Sequence, residues 1–189
     1  MDRAVLHKLS AGMYIVTSCY GNKFNGQVAD IVFQIASEPL LVAMAINKKN
    51  LTHEYISHSR LANISILDID TPLKQIGQFG FKSGRDIDKF QGMNCKAGKN
   101  GVPVVLDHAV GYLETEVVNQ VDAGSHTLFI TRVTESEMLT DAEPMTYAYY
   151  HKIKGGKLQA NAPGYVPPEK RSPPMDQTVK NQNSDDARK

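Results

Sequence analysis

The residues best equipped for chemistry fall in two stretches. The first is Asn25-Gly-Gln-Val-Ala-Asp-Ile-Val-Phe-Gln-Ile-Ala-Ser-Glu-Pro39, which continues through an apolar segment over 40–46 into Asn47-Lys-Lys-Asn-Leu-Thr-His-Glu-Tyr-Ile56. The second is Phe79-Gly-Phe-Lys-Ser-Gly-Arg-Asp-Ile-Asp-Lys-Phe90. Gly26, Ala29 and Ala36 are small enough to leave backbone amides accessible. Lys48, Lys49, Asn50, Thr52 and Arg85 supply amide, hydroxyl and cationic donors. Small residues at bends followed by clustered donors suit a flat cofactor with a phosphate tail, whose ring edge meets amides and whose phosphate meets cations and hydroxyls. The same residues also fit plainer roles: 27–36 as a core strand, 48–50 as a solvated turn, and Arg85 as a surface ion pair with Asp86 or Asp88.

The elements that must position these residues are mostly strands. Residues 13–18 are β-branched and aromatic, and 21–26 form a turn with Asn25-Gly26 where a hairpin needs positive φ. A second strand runs to about Ala36 and is ended by Pro39; the run 40–46 reads as a strand covered on both faces. A helix capped by Asn50 or Thr52, with Glu54 in its first turn, reaches about Ser59. A strand over 62–67 follows. Thr71 then caps a short helix that has Pro72 at its first position and extends to about Gln78.

The span 79–101 reads as a long loop with one turn of helix, a length that points to function. Strand character returns over 109–119 and 125–136, with a turn at 121–124. In the second of these, Thr127, Phe129, Thr131 and Val133 share the face opposite His126, Leu128, Ile130 and Arg132. An aromatic segment covers 147–153. The proline-rich, mixed-charge stretch after Tyr165 predicts a flexible tail over 166–189. One domain over 1–165 is therefore expected, an antiparallel β-barrel with helical additions.

Bulk properties exclude several classes. A net charge of +1 creates no field to recruit nucleic acid or an anionic membrane. No run approaches the ~18 apolar residues of a membrane span. The first residues, Met1-Asp-Arg-Ala-Val-Leu-His-Lys-Leu, are amphipathic rather than a signal peptide, so the expected compartment is cytoplasmic. Cys19 and Cys95 match no Cys-x-x-Cys spacing and read as reduced thiols, and the six histidines show no metal-ligand spacing. No metal site is expected.

Four motifs, in order along residues 10 to 165, resemble the flavin reductase-like family of FMN-binding split barrels. They are Asn25-Gly26 with Ala29, Gln34, Glu38-Pro39 and Asn50-Leu51-Thr52; Phe79–Phe90; Gly124-Ser-His-Thr-Leu-Phe-Ile130; and Thr146-Tyr-Ala-Tyr-Tyr-His-Lys-Ile-Lys-Gly-Gly156 with Ala162-Pro-Gly-Tyr165. The second motif is similar to the branch that includes flavoredoxins and flavin domains joined to rubredoxin.

The resemblance implies a mainly β fold, an antiparallel Greek-key split barrel with short helices, binding FMN and using NAD(P)H as donor. Asn25, Gly26, Val28, Ala29 and Asp30 would present amides to the flavin ring, with Thr17 on the neighbouring strand. Gln34, Ile35, Ala36 and Ser37 would approach the ribityl chain and phosphate. Asn50 and Thr52 would bind phosphate, with Lys48 adding charge. Ser83, Arg85 and Lys89 would come close to the cofactor across a homodimer contact. Tyr147 and Tyr150 would wall the flavin, and His126 would sit near the nicotinamide in a positioning role; a strand histidine equally fits simple packing.

The sequence departs from the family at Val28 (commonly Thr), Asp30 (Asn or Ser) and Thr131 (Gly). Asp30 would accept from the flavin N3–H yet oppose an anionic reduced ring. Because no rubredoxin-like cysteine pairs follow Tyr165 in this sequence, a rubredoxin-like electron partner would be a separate protein. The implied activity is NAD(P)H-dependent flavin reduction, with electrons passed to a flavin, metal or protein acceptor. Two alternatives stay open: a flavoredoxin-like electron carrier reduced by a protein, and a non-redox barrel holding another ligand.

Overall fold

The computed structural model describes residues 3–157, 160–163 and 165. Strand β1 (Tyr14–Tyr20) turns back through Gly21-Asn22 into β2 (Lys23–Ala29), Gly21 supplying the positive φ of 57° that the tight turn requires; the expected turn pair Asn25-Gly26 instead lies within β2, opposite Ser18 and Thr17. A second hairpin joins β3 (Val32–Ser37) to β4 (Leu40–Asn47). Helix α1 (Leu51–Ser59), strand β5 (Leu61–Leu67) and helix α2 (Leu73–Gly80) follow. A small ribbon of β6 (Cys95–Ala97) and β7 (Pro103–Val105) precedes the long hairpin β8 (Ala109–Ala123) and β9 (His126–Met138), and α3 (Tyr147–Lys152) comes last.

The seven long strands form one antiparallel sheet in the order β2-β1-β5-β8-β9-β4-β3. Its two edges, β2 and β3, are consecutive in the chain and joined by Asp30-Ile31. The Ile31 carbonyl accepts from Ala45 N at 3.1 Å, one rung beyond the β3–β4 ladder, and the two-residue connection draws the two edges together as an incompletely closed barrel.

Alternation along β1 puts Val16 in one core and Ile15 in another. The first core fills the barrel with Val16, Met44, Ile46, Ile64 and Phe129, and Ile56 of α1 plugs it. The second packs Met13, Ile15, Leu67, Ile76, Phe79, Met145 and Tyr150 between the outer face of the sheet, α2 and α3. Both cores are needed to hold α1 and α2 against β2. Of the two faces of β9, the one containing Thr127, Phe129 and Thr131 is buried.

The structure changes several expected boundaries. The strand expected to run to Ala36 breaks at Asp30-Ile31, because the chain there crosses from one sheet edge to the other. The backbone amides of residues 30 and 31 lie beside the Asp30 carboxylate at that corner and favour its charged form. Pro72 is the cap of α2 rather than its first residue; its ψ of 144° is extended, and the Thr71 hydroxyl donates instead to the Asp68 carbonyl at 2.8 Å. The expected loop over 79–101 loses its start to α2 and contains β6. The turn expected at 121–124 is tighter: β8 continues to Ala123, and Gly124 reverses the chain at φ 75° with its amide donating to Asp122 Oδ1 at 2.8 Å. The expected tail over 166–189 lies outside the described residues.

The aromatic segment is helix α3. Its cap is Thr146, whose hydroxyl accepts from Tyr149 N at 3.1 Å. Thr146→Ala is expected to cost about 1 kcal/mol, read as a lowered urea midpoint at unchanged slope. A smaller loss than a few tenths would mean the cap does not set the stability of α3.

Among the described residues no cluster of His, Cys, Asp or Glu is arranged to hold a metal, and no helix is long and apolar enough to cross a membrane. Cys19 and Cys95 are both free and half-buried, on different strands.

Candidate functional site

The start of α1, the side of β2 and the loop after α2 line an open cleft of about 210 Å³. Its floor is Phe79; Asn25, Gln27, Asn50 and Thr52 form one wall, and Lys82, Ser83, Gly84 and Arg85 form the other. Gln27, Asn50 and Asn161 also line a small adjoining hollow of about 20 Å³, which continues past Val28, Ala29 and Asp30 to His126, Tyr147 and the segment 161–163. The two hollows form one elongated groove whose ends differ in chemistry. One end carries Lys49, Lys82, Arg85 and Lys89 beside the first turn of α1, where helix geometry leaves amides without helical partners. The other end carries a carboxyl, an imidazole and a phenol.

Two glycines shape the cationic end. A side chain at Gly84 would collide with Asn25 Oδ1, and one at Gly26 would press on the Phe79 ring at 3.0 Å. Asn25 is held by its amide donating to Thr52 Oγ1 at 2.8 Å, while its Oδ1 is buried with no partner among the described residues. That orphaned acceptor calls for a donor from whatever occupies the groove. Lys89 is only 5% exposed; its Nζ donates to the Gly26 and Phe79 carbonyls at 2.8 and 2.9 Å, tying β2 to the end of α2. Burial pushes its ammonium down to about 8. Arg85 pairs with Glu54 Oε2 of α1 at 3.0 Å, rather than with Asp86 or Asp88, and both side chains stay half-exposed.

At the other end Asp30 is 8% exposed. Burial raises its carboxyl above the usual range, partly offset by the two backbone amides and by the nearby His126 and His151. Burial, with Asp30 close by, also holds the Tyr147 phenol far above its ordinary value. His126 Nδ1 lies 2.9 Å from Ser125 Oγ, and its Nε2 lies 3.2 Å from the Asn161 carbonyl.

The groove thus gathers Asn25, Val28, Ala29, Asp30, Asn50, Thr52, Ser83, Arg85, Lys89 and His126. Gly26 lies just behind the wall, with its carbonyl on Lys89. Other expected residues sit elsewhere. Thr17 faces the core, its hydroxyl bonded to the Pro103 carbonyl at 2.5 Å. Gln34, Ile35, Ala36 and Ser37 lie on the edge strand β3, away from the groove of their own chain. Lys48 turns to Asp122 Oδ1 at 2.6 Å and leaves the groove to Lys49. Tyr150 is packed in the second core, its hydroxyl donating to the Lys157 carbonyl at 3.2 Å, so Tyr147 alone of the pair lines the groove.

Sequence reasoning missed Gln27, Asn47, Phe79 and Asn161. The signal for Gln27 was present, since it stands two residues from Asn25 on one strand and shares its face.

The profile described as "Flavin reductase like domain" matches residues 6–155, and the chain belongs to that family. It is 50% identical over 166 residues to the high molecular weight rubredoxin of Moorella thermoacetica, covering 88% of this chain and 72% of that protein. It is 43% identical over 165 residues to the ferric-chelate reductase (NAD(P)H) of Archaeoglobus fulgidus, covering 87% of this chain and 98% of that one. Among solved structures, the NADH:FAD oxidoreductase SgcE6 of Streptomyces globisporus superposes with a TM-score of 0.70 at 22% identity, over 76% of this chain and 85% of its own. At that identity the likeness is one of fold.

Proposed function

We propose that the groove holds FMN and that the chain is an NAD(P)H-dependent oxidoreductase of the flavin reductase type, delivering electrons to a flavin, metal or protein acceptor. The observation that carries this reading is the two-ended groove with an orphaned buried acceptor in the wall of its cationic end. A mononucleotide flavin has a phosphate for the cationic end, a polyol whose hydroxyls can donate to Asn25 Oδ1, and a ring for the amide-lined end. The ferric-chelate reductase (NAD(P)H) at 43% identity supports the donor assignment.

The chemistry FMN supplies when bound is acceptance of a hydride from a reduced nicotinamide and delivery of those electrons onward. The chain's own part is binding, orientation and charge control. Thr52, Ser83, Arg85 and the first amides of α1 would hold the phosphate. The backbone of residues 27–30 would hydrogen-bond the ring edge, with Tyr147 and His126 bounding the ring's end of the groove. Asp30, whose carboxyl is raised by burial, can keep a proton there at a higher pH than an exposed carboxyl, which lessens its repulsion of a negatively charged ring.

The homodimer belongs to the same proposal. Edge strand β3 exposes Phe33 at 50% and Ile35 at 43%, an apolar edge suited to a second copy, which would bring Gln34–Ser37 toward the partner's groove. A cytoplasmic location and a rubredoxin-like electron partner complete the reading.

The 50% identity to a protein named high molecular weight rubredoxin favours a second reading, in which the chain is an electron carrier reduced by a protein. Anaerobic spectra separate the two. The purified chain is expected to be yellow, to release FMN identified by mass, and to bleach with NADH or NADPH alone. A flavin that stays oxidised with both nicotinamides, yet bleaches with a reduced iron–sulfur protein, replaces the first reading by the second. A colourless chain that takes up no FMN removes both and leaves a non-redox barrel.

A further inference from the structure

The waist of the groove, between the phosphate end and the ring end, is crossed by the segment 160–163, which follows α3. One residue, Asn161, fastens it on three sides. Its carbonyl accepts from Asn47 Nδ2 at the end of β4 at 3.2 Å, and lies 3.2 Å from His126 Nε2 at the start of β9. Its side-chain amide donates to Asn50 Oδ1, at the cap of α1, at 3.1 Å. The Asn50 amide in turn donates to Gln27 Oε1 of β2 at 3.1 Å, and Asn47 Oδ1 accepts from Lys49 N at 3.0 Å. An unbroken line of amides therefore runs from β2 over the waist to β4 and β9. Asn161 itself is exposed and carries no core packing, so its three bonds fix the strap without helping to fold the barrel.

We propose that Asn161 is a clasp that controls the rate at which a flavin mononucleotide enters and leaves the groove; this rests on the FMN reading above. A rigid three-ring plane joined to a phosphorylated tail spans both hollows. It must cross the waist in either direction, so the amide line has to part first. Such a clasp slows association and dissociation by the same factor and leaves affinity nearly unchanged, since the strap closes again after passage. A residue that merely touches the ligand acts differently: its loss speeds release alone.

The test follows FMN fluorescence in stopped flow with the full-length chain. Asn161→Ala deletes the bond to Asn50, and Asn161→Leu repeats that deletion at nearly the original side-chain volume. Each is expected to raise the association and dissociation rate constants together by about tenfold, the range one hydrogen bond commands, while Kd moves less than about threefold. A rise in dissociation alone makes Asn161 a ligand contact and overturns the clasp, and unchanged rates in Asn161→Ala overturn it too. Failure of the wild-type chain to bind FMN is a separate result that sinks the functional reading. Melting curves taken alongside identify a variant that has lost its fold; because Asn161 is exposed, Asn161→Ala is expected to keep the wild-type transition.

Discussion

Raising the pH from about 8 to about 10.5 is expected to stabilise the wild-type chain relative to Lys89→Met by up to about 3 kcal/mol. Lys89 is buried, and its ammonium titrates near 8 in the fold against 10.5 for an ordinary lysine. Below both values the amine is protonated whether the chain is folded or not, and the fold bears the burial of that charge. Between them the unfolded chain still holds the proton and the folded chain has released it. The unfolded state then binds more protons, so stability climbs with pH until the unfolded lysine also titrates.

Other groups oppose this climb. Burial pushes the Cys95 thiol up to about 11 from 9.0 and raises the phenols of Tyr14, Tyr147 and Tyr150, all of which lose stability as pH rises. They are common to both proteins and cancel in the difference. At neutral pH the substitution removes a desolvated charge but orphans the Gly26 and Phe79 carbonyls, each worth about 1–3 kcal/mol when left bare, so the two proteins should differ little there. Urea midpoints for both, across that pH window, give the difference directly. Parallel curves would show that Lys89 keeps its ordinary affinity for the proton. With a phosphorylated ligand in the groove the window should move upward, because an anion nearby favours the charged amine.

What the sequence revealed and what it hid follow from the range of the interactions. The placing of α1 and the presence of a first hairpin depend on residues within about ten neighbours and were legible, but the turn itself was not: it falls at Gly21-Asn22, while the Asn25-Gly26 pair read as the turn lies inside β2 opposite Ser18 and Thr17. The break at Asp30-Ile31 depends on barrel closure, which joins strands from opposite edges of the sheet and leaves no local mark. Lys48 and Lys49 are identical in type; which one meets the groove is decided by the phase of a turn, fixed by Asp122 on a strand 74 residues away. Tyr147 and Tyr150 share a helical face, and only the depth of the second core separates wall from packing. Asn161 was out of reach of any local pattern: its partner Asn47 lies 114 residues earlier.

Replacing both Thr52 and Arg85 by alanine is expected to weaken FMN binding by about 2–4 kcal/mol, roughly 30- to 1,000-fold in Kd. The two losses should differ in kind. Thr52 is fully buried and its hydroxyl accepts from Asn25 Nδ2, so Thr52→Ala strips one donor from the phosphate end and releases Asn25 from its fixed orientation. That loss arises inside the protein and should persist at high salt. Arg85 is half-exposed and shared with Glu54, a pair worth little to stability, so Arg85→Ala should leave the melting curve almost unmoved. Its share of binding is a screened attraction that shrinks as salt is added. Glu54 competes with the phosphate for the same guanidinium, and Glu54→Gln should therefore tighten FMN binding in the wild-type background and have no effect once Arg85 is alanine. Fluorescence titrations at low and high salt read all five variants. Full retention of affinity by the double variant would remove Thr52 and Arg85 from the phosphate site, and the ligand's anionic end would then have to lie nearer Lys49 and Lys82.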